Sequence, residues 1–197
     1  MEHATRNSPP SGGRLEASED LLRDVLARMR QGDEQGLEAA EQALGAHPDD
    51  ARLHFLRGSI LAGLQRYAEA RQAMQTSVNL APGFAIARFQ LGLLVLCGGD
   101  AIGAETAWGP LHLLPEGAPL RLFVEGLDAM IRDEFEPAIR RLRDGIARNQ
   151  ENEPLNRDMS MLIDAMQASL DNAADAPPQA SGAQLLLQQY ASKDKTR

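Results

Sequence analysis

The sequence predicts an all-α chain made of repeated antiparallel helical hairpins, and two observations carry that reading. First, three columns return every 34 residues: Gly58, Gly92 and Gly126; Ala70, Ala104 and Ala138; Phe55, Phe89 and Phe123. Self-similarity at a period of roughly 20 to 50 residues marks repeat architectures. The chain has only 5 Phe, so three of them in one column, in phase with two other columns, set the register. Second, the helix-breaking residues keep the same phase. Asp50 and Gly83 precede first helices, Pro82-Gly83 closes the first repeat, and Gly98-Gly99-Asp100 interrupts the second in its middle.

Taken in order, residues 1–17 read as a disordered tail and 18–50 as a degenerate hairpin. In that hairpin Leu21, Leu22, Val25, Leu26 and Met29 share one helical face behind a Ser18 cap. Leu37, Ala40 and Leu44 form a second helix that ends before His47-Pro48. Pro48 and Pro82 are also 34 apart, which places this hairpin in phase, although Asp24 occupies its glycine column. Three full repeats follow at 51–84, 85–118 and 119–152. The glycine of each first helix and the alanine of each second helix fall where two backbones must nearly touch, and a larger side chain there forces the helices apart. Residues 153–170 form a capping helix, with Pro154 in its first turn and Met159, Leu162, Ile163, Met166 and Leu170 on one face. A flexible linker is expected at 171–182, then a short amphipathic segment with a charged end at 183–197.

With its 34-residue unit, its small residue in each of two helices and a proline near the unit's end, the array 51–152 resembles the tetratricopeptide repeat family. Departures from the pattern are definite: His54, Arg88 and Leu122 replace the family's early aromatic, and the closing proline moves to Pro115 and is then lost at Gln150. The resemblance implies an α-solenoid with capping helices, whose first helices line a concave surface that binds another protein.

Composition excludes several other functions. A net charge of -8 and a pI near 5.0 argue against gripping phosphate backbones, so nucleic acid is not an expected partner. The acidity sits at the ends, and the first full repeat is mildly positive: residues 1–50 hold 5 basic and 11 acidic side chains, against 5 and 2 in 51–100. No apolar run approaches the roughly 20 residues that span a bilayer, and the opening MEHATRNSPPSGG lacks a secretory apolar stretch. With one cysteine, Cys97, no intramolecular disulfide forms, and a reducing cytoplasm is the expectation. Arginine makes up 18 of the 20 basic residues, a bias expected of a bacterial, GC-rich genome.

The chemistry-bearing residues form no catalytic constellation. His3, His47, His54 and His112 contain no pair at i, i+3 or i+4, Cys97 has no partner cysteine, and no phosphate loop, G-x-S-x-G elbow or H-E-x-x-H pair occurs. A non-enzymatic protein with no metal and no cofactor is expected. Cys97 and Trp108 read as packing residues. Arg140, Arg141, Arg143 and Arg148, interleaved with Asp133, Glu134, Glu136 and Asp144, read as a solvated mixed face rather than a site for an acidic partner.

The resemblance directs attention to the columns that would face inward: Arg52, Ile86 and Leu120; Phe55, Phe89 and Phe123; Ser59, Leu93 and Leu127; Ala62, Leu96 and Met130. From the second repeat onward they are apolar. Tetratricopeptide domains that clamp a partner's terminal carboxylate use Lys, Arg and Asn at such positions. Here Phe55, Ser59, Gln90, Leu120 and Val124 stand there, and an apolar lining does not compensate a desolvated carboxylate. The expected partner is therefore another protein or peptide segment, an amphipathic helix or an extended hydrophobic stretch. Two alternatives stand beside this. The apolar rows are simply core, or the chain fills its own groove with the cluster Leu185, Leu186, Leu187 and Tyr190. Three repeats with flanking helices, an acidic charge and an apolar hollow also resemble the tetratricopeptide chaperones that shield hydrophobic translocators in type III secretion.

Overall fold

The backbone keeps the period of the sequence. The structure is a computed structural model that describes residues 16–173 and Ser181. Among the described residues there are nine α-helices and no strand: α1 (Glu19–Gln31), α2 (Asp33–Ala46), α3 (Ala51–Gly63), α4 (Tyr67–Leu80), α5 (Ala85–Cys97), α6 (Ala101–Trp108), α7 (Pro119–Ile131), α8 (Phe135–Arg148) and α9 (Glu153–Ala173). A 3-10 turn, Gly109–Leu113, follows α6. First helices begin at Ala51, Ala85 and Pro119 and second helices at Tyr67, Ala101 and Phe135, so the 34-residue spacing holds at both. Most of the tail read at 1–17, the linker from 174 on apart from Ser181, and the segment 183–197 with Leu185, Leu186, Leu187 and Tyr190 lie outside the described residues. The helix α9 continues three residues beyond Leu170, through the start of the expected linker.

The helices gather into two compact units, Met1–Leu80 and Ala81–Arg197. In the N-terminal unit α1 pairs with α2 and α3 with α4, and α3 packs on both α1 and α2. In the C-terminal unit α5 pairs with α6 and α7 with α8; α5, α6 and the 3-10 turn lie against α7, and α9 covers α8.

Local chemistry explains the joints. Each first helix of the three full repeats ends in a residue of left-handed backbone at one register: Gln65 (φ 62), Gly99 (φ 84) and Asp133 (φ 60). The following amide reaches back five residues in every case, from Arg66 to the Leu61 carbonyl (2.9 Å), Asp100 to Val95 (3.2 Å) and Glu134 to Ala129 (2.9 Å). This is the helix-ending arrangement that satisfies otherwise orphaned carbonyls. Only the second repeat uses the residue type the geometry favours, glycine. Helix starts are capped where the sequence predicts: Ser18 Oγ accepts from the Leu21 amide at 3.2 Å, and Asp50 Oδ1 from the Arg52 amide at 2.8 Å.

The glycine column lies at the helix crossings. A Cβ on Gly58 would meet Met74 Cγ at 3.0 Å and the Ala70 carbonyl at 3.2 Å; on Gly126 it would meet Leu142 Cδ2 at 2.7 Å; on Gly92 it would overlap the Trp108 indole. In the first hairpin, with Asp24 in that column, the close approach comes from the other helix. Gly36 stands 34 residues before Ala70, in the alanine column, and a Cβ there would lie 2.8 Å from Met29 Cα. Of the predicted α1 face, Leu22 and Val25 are buried, whereas Leu26 is 36% exposed, so the buried stripe is narrower than the periodicity implies. Helix α6 stops after 8 residues because Pro110, with no N–H to donate and a ring that crowds the preceding turn, follows immediately.

Candidate functional site

The residues of the inward columns, with Gln90 beside them, divide into two groups. Phe89, Leu93, Leu96, Phe123, Leu127 and Met130 are all at 2% exposure or less. Arg52, Phe55, Ser59, Ala62, Ile86, Gln90 and Leu120 are half-buried. The first group therefore belongs to the interior of the C-terminal unit and corrects the expectation of an open apolar floor there. Nor is Val124, at 0%, available at the surface.

The reason lies in the opposing helices. In the third repeat α8 carries Gly145, and the Phe123 ring fills the space its missing side chain leaves, so close that a Cβ on Gly145 would be 2.5 Å from ring carbons. Phe89 is drawn inward by Trp108: their ring centroids are 6.3 Å apart, Phe123 is 6.2 Å from Phe89, and the Trp108 Nε1–H donates to the Phe89 carbonyl at 3.0 Å. Trp108, 0% exposed, is the packing residue the sequence predicts. Helix α5 is buried nearly all round, with Ala87, Phe89, Leu91, Gly92, Leu93, Val95 and Leu96 covered, as a helix apolar on every face must be. Cys97 ends this helix half-buried, more accessible than a core residue.

In the N-terminal unit, Arg52 is engaged rather than free. Its guanidinium meets Asp50 Oδ2 at 2.8 Å and Glu19 Oε1 at 2.8 Å, and it donates to the Ala17 carbonyl at 2.7 Å. The Ala17 amide in turn donates to Asp50 Oδ2 at 2.7 Å, so the last residue of the expected tail is fastened to the start of α3. Asp50 is 4% exposed. Burial alone would raise its pKa, but the hydrogen bonds from the Arg52 side chain and from the amides of Ala17 and Arg52 outweigh it and lower the value to about 2. The half-exposed Ser59 Oγ–H donates back to the Phe55 carbonyl at 3.0 Å. His54 is half-buried and its Nε2 lies 2.8 Å from the Pro48 carbonyl.

The mixed face of α8 is solvated, as its alternating charges predict. Its charged side chains are all exposed, and Arg141 pairs with Glu125 at 3.3 Å. Beside it is a polar cavity of about 440 Å³ lined by Arg121, Arg141 and Arg148 together with Glu116, Glu125 and Asp144. With as many carboxylates as guanidiniums, it has no net preference for an anion. Among the described residues no cluster of three or more His, Cys, Asp or Glu could hold a metal ion, and no helix is long and apolar enough to cross a membrane.

Sequential antiparallel helix pairs, a 34-residue step, a small residue at each crossing and a left-handed turn at one register define a tetratricopeptide-like fold. The comparison with solved structures agrees. The chain is similar to a tetratricopeptide-repeat protein, MamA (residues 41 to the end) from Desulfovibrio magneticus RS-1, with a TM-score of 0.57 and 15% identity, over 90% of this chain and 96% of that one. A MamA RS-1 ArsTM double mutant matches with a TM-score of 0.56 and 16% identity over 89% and 96%. No family model and no curated protein matches the sequence.

Proposed function

We propose that the chain is a non-enzymatic protein-interaction scaffold whose first helices bind an amphipathic helix or an extended hydrophobic segment of another protein. The observation that carries this reading is the second position of every first helix. Arg52, Ile86 and Leu120 are all half-exposed, while the helices that bear them are fixed by buried neighbours. In the C-terminal unit the contact residues are Ile86, Gln90 and Leu120; in the N-terminal unit they are Phe55 and Ser59. The buried Phe89, Leu93, Leu96, Phe123, Leu127 and Met130 hold the shape of that surface without touching the partner. A partner's terminal carboxylate is disfavoured, because the one guanidinium in these columns, on Arg52, is already bonded to Asp50 and Glu19. An apolar side chain presented on a rigid helix suits a ligand that contributes its own apolar stripe.

The test separates surface from core. A photo-crosslinking amino acid at Leu120 is expected to capture a partner in cells, and the same group at Arg143, on the solvated face of α8, is not. With the crosslinking group placed at Ile86 instead, Leu120→Glu should abolish capture with unchanged helical content. Full binding by a folded Leu120→Glu protein refutes the assignment of this face.

A further inference from the structure

Neither the fold nor the proposed binding face makes use of one buried charge in the C-terminal unit. Asp128, on α7, is 9% exposed, and its Oδ1 has no hydrogen-bond partner. Its Oδ2 lies 2.9 Å from Nε2 of His112, in the 3-10 turn that replaces the rest of the second helix of that repeat. We propose that His112 and Asp128 form a proton-operated clasp that holds the segment 109–118 against α7 and loosens it as the pH rises.

A buried carboxylate with one bare oxygen is costly, and most costly as an anion without a cation beside it. One proton on the pair, carried by the carboxyl or by the imidazole across the 2.9 Å contact, leaves it with no net charge. Losing that proton leaves an anion in the interior. The neighbouring groups set the direction: burial pushes the Asp128 pKa up, His112 pulls it down, Glu105 of α6 pushes it up, and Arg132 at the end of α7 pulls it down, with a net rise. From α5 the charged side chain is Arg88, whose guanidinium is turned to the carbonyls of Ala107 and Pro82, and the charged side chains of α8 are all exposed. In the open state both side chains are hydrated, and the pair holds its shared proton less tightly. Closing therefore takes up a proton and is favoured at low pH; the contribution disappears as the pH rises through the titration of the closed pair.

The same segment has two other anchors, the buried Leu111 side chain and the bond from Arg121 Nη1 to the Leu114 carbonyl at 2.8 Å. Neither involves a carboxyl or an imidazole, so the clasp is the pH-dependent part.

Amide hydrogen exchange on the full chain tests this between about pH 5 and 8.5, with rates converted to protection factors and α8, in the same unit, as internal reference. In the wild type, protection over 109–118 should fall at least severalfold relative to α8 as the pH rises, because each pK unit of linkage is about tenfold. Asp128→Asn keeps the shape and the acceptor but takes up no proton, and its ratio should be flat. If that variant does not fold, His112→Gln, which keeps a donor but leaves the buried carboxyl without the imidazole that draws its pKa down, should move the fall in protection to higher pH. A flat wild-type ratio, or a folded variant that follows the wild-type pH course, overturns the proposal.

Discussion

Replacing Gly92 with alanine tests the packing at the centre of the C-terminal unit. In an exposed helix the change would be favourable, since alanine exceeds glycine by about 1 kcal/mol in helix propensity. Here the new methyl would enter the Trp108 indole at Nε1, Cε2 and Cδ1. The ring is fully buried, touches Phe89, and is held by its bond to the Phe89 carbonyl at 3.0 Å. It is rigid and cannot fold away. Overpacking costs about 1 to 3 kcal/mol, and a stranded buried N–H about 1 to 3 more. Less the propensity gain, the net loss should be about 1 to 5 kcal/mol. The assay is urea unfolding followed by helical circular dichroism and by tryptophan emission, a single-site signal because the chain has one Trp. Gly58→Ala is the matched control. There the methyl meets the flexible thioether of Met74 at 3.0 to 3.1 Å, which gives way, and the Ala70 carbonyl at 3.2 Å, which must yield by only a few tenths of an ångström, so the loss should stay under about 1 kcal/mol. A Gly92→Ala protein as stable as the wild type, or equal losses at the two sites, would refute the argument.

The Asp50 carboxyl should control part of the acid stability. Its pKa is lowered in the fold from 3.8 to about 2, so the unfolded chain takes up the proton first; the stabilisation is full above about pH 4 and lost as the pH falls toward 2. The amount is about 2 kcal/mol, read as the difference in acid dependence of the urea midpoint between the wild type and Asp50→Asn. At the turns, Gly99→Ala should cost about 1 to 2 kcal/mol and Gln65→Gly should be neutral to stabilising by up to about 1 kcal/mol, because both positions need left-handed backbone. Thermal unfolding of the two variants checks the sign at each site.

The period, the paired helices and the crossings were legible because each has a one-letter cause: glycine or alanine where backbones meet, and proline, glycine or aspartate where helices start and stop. The first hairpin shows how such a signal is overlooked. Attention to Asp24 in the glycine column hid Gly36, which was already in phase with Ala70, Ala104 and Ala138. The accessible surface was less legible. Counting columns assigned Phe55, Phe89 and Phe123 the same direction, but how far a ring sinks depends on the facing helix, which holds Gly145 opposite Phe123 and the Trp108 ring beside Phe89. No single-helix pattern contains that information. The meeting of His112 with Asp128 was hidden for a similar reason. It depends on Pro110 ending α6 early, and the residues are 16 apart, outside any spacing tested for a shared helical face.

The turns at Gln65, Gly99 and Asp133 bear on how such a chain is inherited. Because the hairpin turns of the three full repeats are closed by the same bond at the same register, a duplication or loss of 34 codons reproduces a complete joint, whereas an insertion within the turn separates the carbonyl from the amide that serves it. Length change by whole repeats is thus mechanically cheap, and sequence drift within a repeat is tolerated wherever the crossing, the joint and the buried core are spared.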